Sequence, residues 1–299
     1  MQNDIQEIRH SSVRNALNLF LIMLILGGVL YSINKNLFGF KYFSDVINNI
    51  FLILILLIAA KKQKLNIINA FSIKKINYRI VILSILIGVI SFFTGTYLYY
   101  LIKSFCASVV IIADPYPKSN NNLDSYLFIF LMVIIAPLYE EFYFRGYLLN
   151  AFKKFGFIQA IVIASFLFGA LHMNCISHII SSIFVSLVLG YLVYRTGSIF
   201  SSMLAHGTFN ATAILFAYFY TYKFSAYTKY HLPPVLIILS IILIILLFKL
   251  LIKETPNAEV DTVRFKGFWG NIKSLFGLWQ FWSIMLLFLF ILLSSFIKH

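Results

Sequence analysis

Six polar residues in the middle of this chain have the types and spacings that acid–base chemistry needs, and each lies in an apolar run. Glu140, Glu141 and Arg145 belong to YEEFYFRG (139–146), His172 ends FGALH (168–172), and His206 and Asn210 bracket HGTFN (206–210). An ionisable group within an apolar span is costly, so its retention points to function before structure. Glu141 and Arg145 are four apart, with the acid first, which stacks them on one helix face in the favourable order for an ion pair. Glu140 is rotated about 100° from Glu141 and is left either to reach Arg145 or to face a cavity. Phe168 and His172 share a face by the same spacing, as do His206 and Asn210.

Taken singly, each stretch has an ordinary reading. The charges could mark a helix end whose long side chains reach the interface, His172 could be a packed core residue, and His206 with Asn210 could bond neighbouring helices. Together, one stripe on each of three helices carries carboxylate, imidazole and amide groups. These are the groups used for general acid–base catalysis and oxyanion binding. Convergence of the three on one polar, water-filled pocket is the reading that explains them jointly. Asn174 and His178, close by at a helix end, read as ordinary loop or interface groups.

The elements that must position these groups are membrane helices. Of 299 residues, 61% are hydrophobic and 11% charged, with a mean hydropathy of +0.90, a composition foreign to soluble domains. A hydrocarbon core requires about 20 apolar helical residues. Candidate runs are Leu17–Ile33, Phe43–Ala60, Ile80–Ile102, Tyr126–Leu149, Ile158–His172, Ile176–Tyr194, Ser198–Tyr220, Pro234–Ile252 and Gly277–Ile297. The fifth is short enough to be a buried helix. The expected fold is therefore all-α, a polytopic bundle of eight or nine transmembrane helices around an embedded polar cavity. Pro137 is expected to kink the fourth helix or to start a new one. The chain divides into N-terminal spans (1–125), a core carrying the three polar stripes (126–220) and C-terminal spans (221–299).

The net charge of +14 does not indicate a nucleic-acid partner, because the basic residues fall between apolar runs, where topology signals reside. Lys61, Lys62, Lys64, Lys74, Lys75 and Arg79 crowd the second loop and place it, with the N-terminus, on the inner side of the membrane. The first span lacks a cleavage site for signal removal and reads as uncleaved. Phe265, Phe268 and Trp269 sit in a basic loop that is either an interfacial helix or a solvated linker. Cys106 and Cys175 are too far apart in sequence for a paired-thiol motif.

EEFYFRG, FGALH and HGTFN, in this order on successive membrane helices, resemble the motifs of the CAAX protease and bacteriocin-processing family, also called the Abi family. That family includes the type II CAAX prenyl endopeptidase. The resemblance covers 131–214. It implies that Glu140 activates water with help from His172, and that His206 and Asn210 bind the oxyanion or position the water. It further implies that Glu141 and Arg145 hold the helix and tune Glu140, while Phe168 packs the site. The implied substrate is a membrane-attached peptide, a peptide precursor or a lipid-anchored protein. The many Ile, Asn and Lys residues point to an AT-rich genome and so to a bacterial plasma membrane. The same family also suggests a non-catalytic alternative, an immunity or scaffold protein that uses the cavity only to bind. No cofactor is favoured. Zinc is the alternative, with Glu140, His172 and His206 as its ligands, although no H-E-x-x-H motif occurs in the chain.

Overall fold

A computed structural model describes residues 2–37, 41–105, 122–172, 176–223 and 234–256, together with 270, 273, 275–286 and 289. Every regular element among them is helical: α1 (Gln2–Leu37), α2 (Lys41–Lys62), α3 (Ile67–Ala70), α4 (Tyr78–Phe105), α5 (Asn122–Phe130), α6 (Ala136–Glu141), α7 (Leu149–Phe152), α8 (Phe157–Leu171), α9 (Ile176–Thr196), α10 (Ile199–Lys223) and α11 (Pro234–Glu254). Among the described residues, seven spans are long and apolar enough to cross a membrane, and Phe157–Leu171 is a shorter apolar helix. The protein is an integral membrane helical bundle. The ninth apolar run is described over 277–286 and at 289 only, and Cys106, Cys175, Asn174 and the loop carrying Phe265, Phe268 and Trp269 lie outside the described residues.

The bundle is layered around α9. More than half of its most apolar window, 56%, is buried, against 22% for α11, so α9 is central and α11 presents most of its surface to lipid. α9 packs against α8 on one side and α4 on the other, while α4 also carries α10 and α11. One apolar core joins Phe20 and Leu17 of α1 and Leu56 of α2 to Phe144, Leu167 and Phe168. A second joins Ile87 of α4, Leu189 and Leu192 of α9, Ala205 of α10 and Leu251 of α11. The polar residues of interest lie where these cores meet. Between α9 and α10, Gly197 adopts a φ of 66°, and its N–H donates to the Val193 carbonyl (2.8 Å). This left-handed residue closes α9 and lets α10 return beside it.

The fourth apolar run is not one regular α-helix. Leu131–Ile135 and Phe142–Leu148 are π-helical turns, separated by the six residues of α6. Pro137 in the first turn of α6 accounts for the first irregularity, because it has no N–H to donate and its ring crowds the preceding turn. In the π register, where the Ala136 N–H bonds the Leu131 carbonyl, the next donor would be residue 137, aimed at Met132. Proline cannot supply it. Helix α10 fits against this site through Gly207, where an added Cβ would lie only 2.7 Å from the Val133 carbonyl oxygen. Gly207→Ala is therefore expected to lower thermal stability in detergent by about 1–3 kcal/mol through overpacking. Gly28→Ala, with nothing within 4 Å of the added carbon, is expected to leave the unfolding temperature unchanged or slightly raised.

Candidate active site

The site begins with a charge buried in apolar surroundings. Arg145, in the second π-helical turn, is 1% exposed, and Glu141 is fully buried. Arg145 Nη1 donates to Glu141 Oε1 at 2.9 Å, so the pair expected from the i, i+4 spacing is formed. Arg145 Nη2 donates to Ser186 Oγ (2.8 Å) and to the Ser186 carbonyl (3.2 Å) on α9. Its guanidinium carbon lies 4.8 Å from the Phe168 ring centre and 5.9 Å from that of Phe144. A buried cation is tolerated only when paired and hydrogen-bonded, and α6, α8 and α9 each contribute to meeting that requirement.

Glu141 also reaches across to α10. His206 Nδ1 lies 2.8 Å from the same Oε1 that accepts from Arg145. A carboxylate paired with arginine can only accept, so His206 carries a proton on Nδ1. This fixes the imidazole orientation and turns Nε2 toward Glu140, whose Oε2 is 3.7 Å away. That separation is an ion-pair distance, longer than a hydrogen bond. Oε2 of Glu140, like that of Glu141, is buried without a hydrogen-bond partner among the described residues, but the Glu140 side chain as a whole is 21% exposed. Of the two adjacent glutamates, one is locked in a network and the other stands at its open end.

Asn210, one turn beyond His206 on α10, donates from Nδ2 to the Met132 carbonyl at 2.7 Å. Met132 is the residue whose π-register donor would have been Pro137, so the asparagine amide supplies the hydrogen that proline lacks. An amide nitrogen carries two hydrogens; one anchors Asn210 to the first π-helical turn, and the group is held in place for the second to act. His172 caps α8 instead of lying within it. Its Nδ1 is 3.0 Å from the Phe168 carbonyl, which only accepts, so Nδ1 bears the proton and Nε2 a lone pair. Phe168 lies between the histidines, its ring centre 4.7 Å from that of His172 and 6.0 Å from that of His206.

The structure thus joins Glu140, Glu141, Arg145 and His206 in one chain of polar contacts, with Phe168 packed against it. Asn210 is anchored to backbone beside this chain, and His172 adjoins it through Phe168. Three contributors escape a reading of the sequence. Ser186 is a buried serine in a membrane helix, a residue type used generally as interhelical glue, and nothing in its spacing marks it as an arginine ligand. The Met132 carbonyl has no side-chain signature beyond the proline five residues later. His178, read above as an ordinary interface group, stands edge-to-face with His172 at 5.3 Å between ring centres. Among the described residues no three His, Cys, Asp or Glu side chains gather as a metal-binding set. His206 Nδ1 and His172 Nδ1 are committed to protein acceptors, which leaves Nε2 of each ring and the Glu140 carboxylate as the atoms that would hold a zinc ion.

Residues 122–212 match the family model described as type II CAAX prenyl endopeptidase Rce1-like. The matched segment holds all three motifs. UPF0177 protein YbdI of Lactococcus lactis subsp. lactis (strain IL1403) is 28% identical over 134 residues, covering 43% of this chain and 71% of that protein. No solved structure matches. Residues 122–212 are thus similar to the type II CAAX prenyl endopeptidase family, and the site lies within them.

Removing one partner of the buried network is expected to cost more than removing both charges. Glu141→Gln or Arg145→Met alone should lower unfolding stability by about 3–5 kcal/mol by leaving an uncompensated polar group or charge. The Glu141→Gln/Arg145→Met double variant should recover a measurable part of that loss in a double-mutant cycle.

Proposed function

We propose that this protein is a membrane-embedded endopeptidase that hydrolyses peptide bonds in membrane-attached peptides or lipid-anchored proteins, with Glu140 as the base that activates water. The observation that carries this reading is the asymmetry of the two glutamates. Glu141 is fully buried and held through Oε1 by Arg145 and His206, whereas Glu140 is 21% exposed and, among the described residues, faces His206 Nε2 at 3.7 Å without a hydrogen bond. A water beside this carboxylate would lose its proton to Glu140 as its oxygen attacks the peptide carbonyl. The proton then passes to the leaving nitrogen, so the carboxylate is regenerated and one water is consumed per bond cut.

The remaining roles follow from hydrogen-bonding capacity. His206, fixed through Nδ1 on Glu141, presents Nε2 at the reacting centre and as an imidazolium donates to the developing oxyanion. Glu141 supplies the countercharge for that state, and Arg145 keeps Glu141 ionised beside it. The second hydrogen of the Asn210 amide is the other oxyanion donor. His172, with its Nε2 lone pair, assists in holding or deprotonating the water. In an apolar site these charges act more strongly than they would in bulk water.

The test is oxygen incorporation. Full-length protein in lipid vesicles is incubated in H₂¹⁸O with a mixture of membrane-derived peptides, and new C-termini are read by mass spectrometry. Glu140→Gln is expected to reduce label incorporation by about 10²–10⁴-fold with an unchanged unfolding temperature. Undiminished incorporation by that variant overturns the assignment. Chelation is expected to leave the wild-type rate unchanged; reversible loss together with stoichiometric zinc would replace the carboxylate base with a metal-bound water.

A further inference from the structure

The chemistry assigned to Glu140 needs one water for every bond cut, and it needs that water while substrate occupies the site. The exposed fifth of the Glu140 side chain is the approach that a seated peptide would cover. Water must then reach the carboxylate from another direction.

A column of tyrosines leads away from Glu140 along its own helix. Tyr139, Tyr143 and Tyr147 follow one another at successive turns, with ring centres 6.4 and 6.5 Å apart and planes within 16° and 21° of parallel. Phe20 of α1 stacks on the middle ring at 5.9 Å and 14°, which clamps the column in register. The Tyr143 hydroxyl is the anomaly. The residue is 1% exposed, and its oxygen has no hydrogen-bond partner among the described residues. A phenylalanine would fill the same space without that cost, and a buried hydroxyl left unsatisfied is destabilising.

The far end of the column opens on a cavity. Tyr147 accepts a hydrogen bond from Gln63 Nε2 at 2.7 Å, and these two residues with Asn66, Asn69 and Asn150 border a space of about 280 Å³. Four amide side chains reach this cavity, whose walls also include Leu65, Ala70 and Ala151, and it lies beside the basic stretch Lys61, Lys62 and Lys64 at the end of α2, where water is plentiful. At the near end, the Tyr139 ring stacks on Tyr143, and Tyr139 is the chain neighbour of Glu140. Hydroxyls on parallel rings one turn apart are separated by roughly 6 Å, a span that two waters in series bridge with ordinary hydrogen bonds.

We infer that Tyr139, Tyr143 and Tyr147 form an internal water file that connects the cavity at Gln63 and Asn150 to Glu140, and that supplies the hydrolytic water from behind a bound substrate. The tyrosines here are positioning residues. They neither gain nor lose a proton over the cycle, and no bond forms or breaks along the file. This inference rests on the peptidase reading for its purpose, but the hydration of the column is a separate physical fact and is measured separately.

The experiment uses full-length protein in phosphatidylcholine vesicles. X-ray radiolysis converts internal water to hydroxyl radical in place, so a buried side chain is oxidised only where water resides beside it. Tyr143 is expected to be labelled at least threefold faster than Phe152, which is equally inaccessible from the surface (0% exposed). Tyr143→Phe retains the ring and removes the hydroxyl, and should lower labelling at Tyr139. Labelling of Tyr143 no faster than Phe152 would overturn the file. In the ¹⁸O assay, Tyr143→Phe is expected to reduce kcat about tenfold with KM unchanged and a larger solvent deuterium effect, a combination that loss of packing alone would not give. Identical turnover and isotope effect in the two proteins would also sink it. Glu140-independent turnover would remove Glu140 as the base instead, while the radiolysis result would still decide whether the column is wet.

Discussion

A single buried guanidinium sets the terms for the centre of this molecule. Arg145 cannot be held in an apolar bundle without a countercharge and several acceptors, and the helices around it are arranged to provide them. Glu141 comes from one turn earlier, Ser186 gives both hydroxyl and carbonyl from α9, and the Phe168 face comes from α8. Because Glu141 offers the same oxygen to His206, satisfying the arginine also fixes the histidine. Four helical segments are thereby brought into register by one charge, and the orientation of the imidazole follows from the electrostatics of a residue it does not touch.

The other organising device is irregularity in the helix that bears the charges. A regular α-helix keeps every carbonyl for itself. The π-helical turn before Pro137 leaves the Met132 carbonyl for Asn210 and lays the Val133 carbonyl against Gly207. The backbone of one helix thus becomes a docking surface for another, which suits a protein whose surroundings provide no water to hydrogen-bond stray carbonyls. Gly207, which allows this close approach, lies between His206 and Asn210 in the chain, so packing precision and site geometry have one origin.

How much of this is legible in the sequence depends on whether an interaction is local. The spans follow from hydropathy, and the Glu141–Arg145 pair follows from helical spacing. Which histidine shares the carboxylate does not, since periodicity gives the face of a helix but not its register against a neighbour. The division between a structural Glu141 and an open Glu140 can be argued from rotation alone, yet the His206 bond that reinforces it cannot. Asn210 illustrates the limit most clearly. Its type and position suggest an oxyanion donor, while its partner is a backbone carbonyl whose only trace in the sequence is a proline in another helix. His172, expected within a helix, proves to be its cap, because α8 ends at Leu171.

Pro137 and Asn210 therefore form a unit that no side-chain contact between them reveals. One removes a hydrogen-bond donor from a helix, and the other restores it from outside. A chain that exchanged the proline for a residue with an N–H could close its own ladder at Met132 and would loosen its hold on the asparagine. In evolutionary terms the two positions constrain each other through an atom that belongs to neither. A lineage that drifts at one is thereby pressed to drift at the other, and a break in a helix serves as the address to which a distant side chain is delivered.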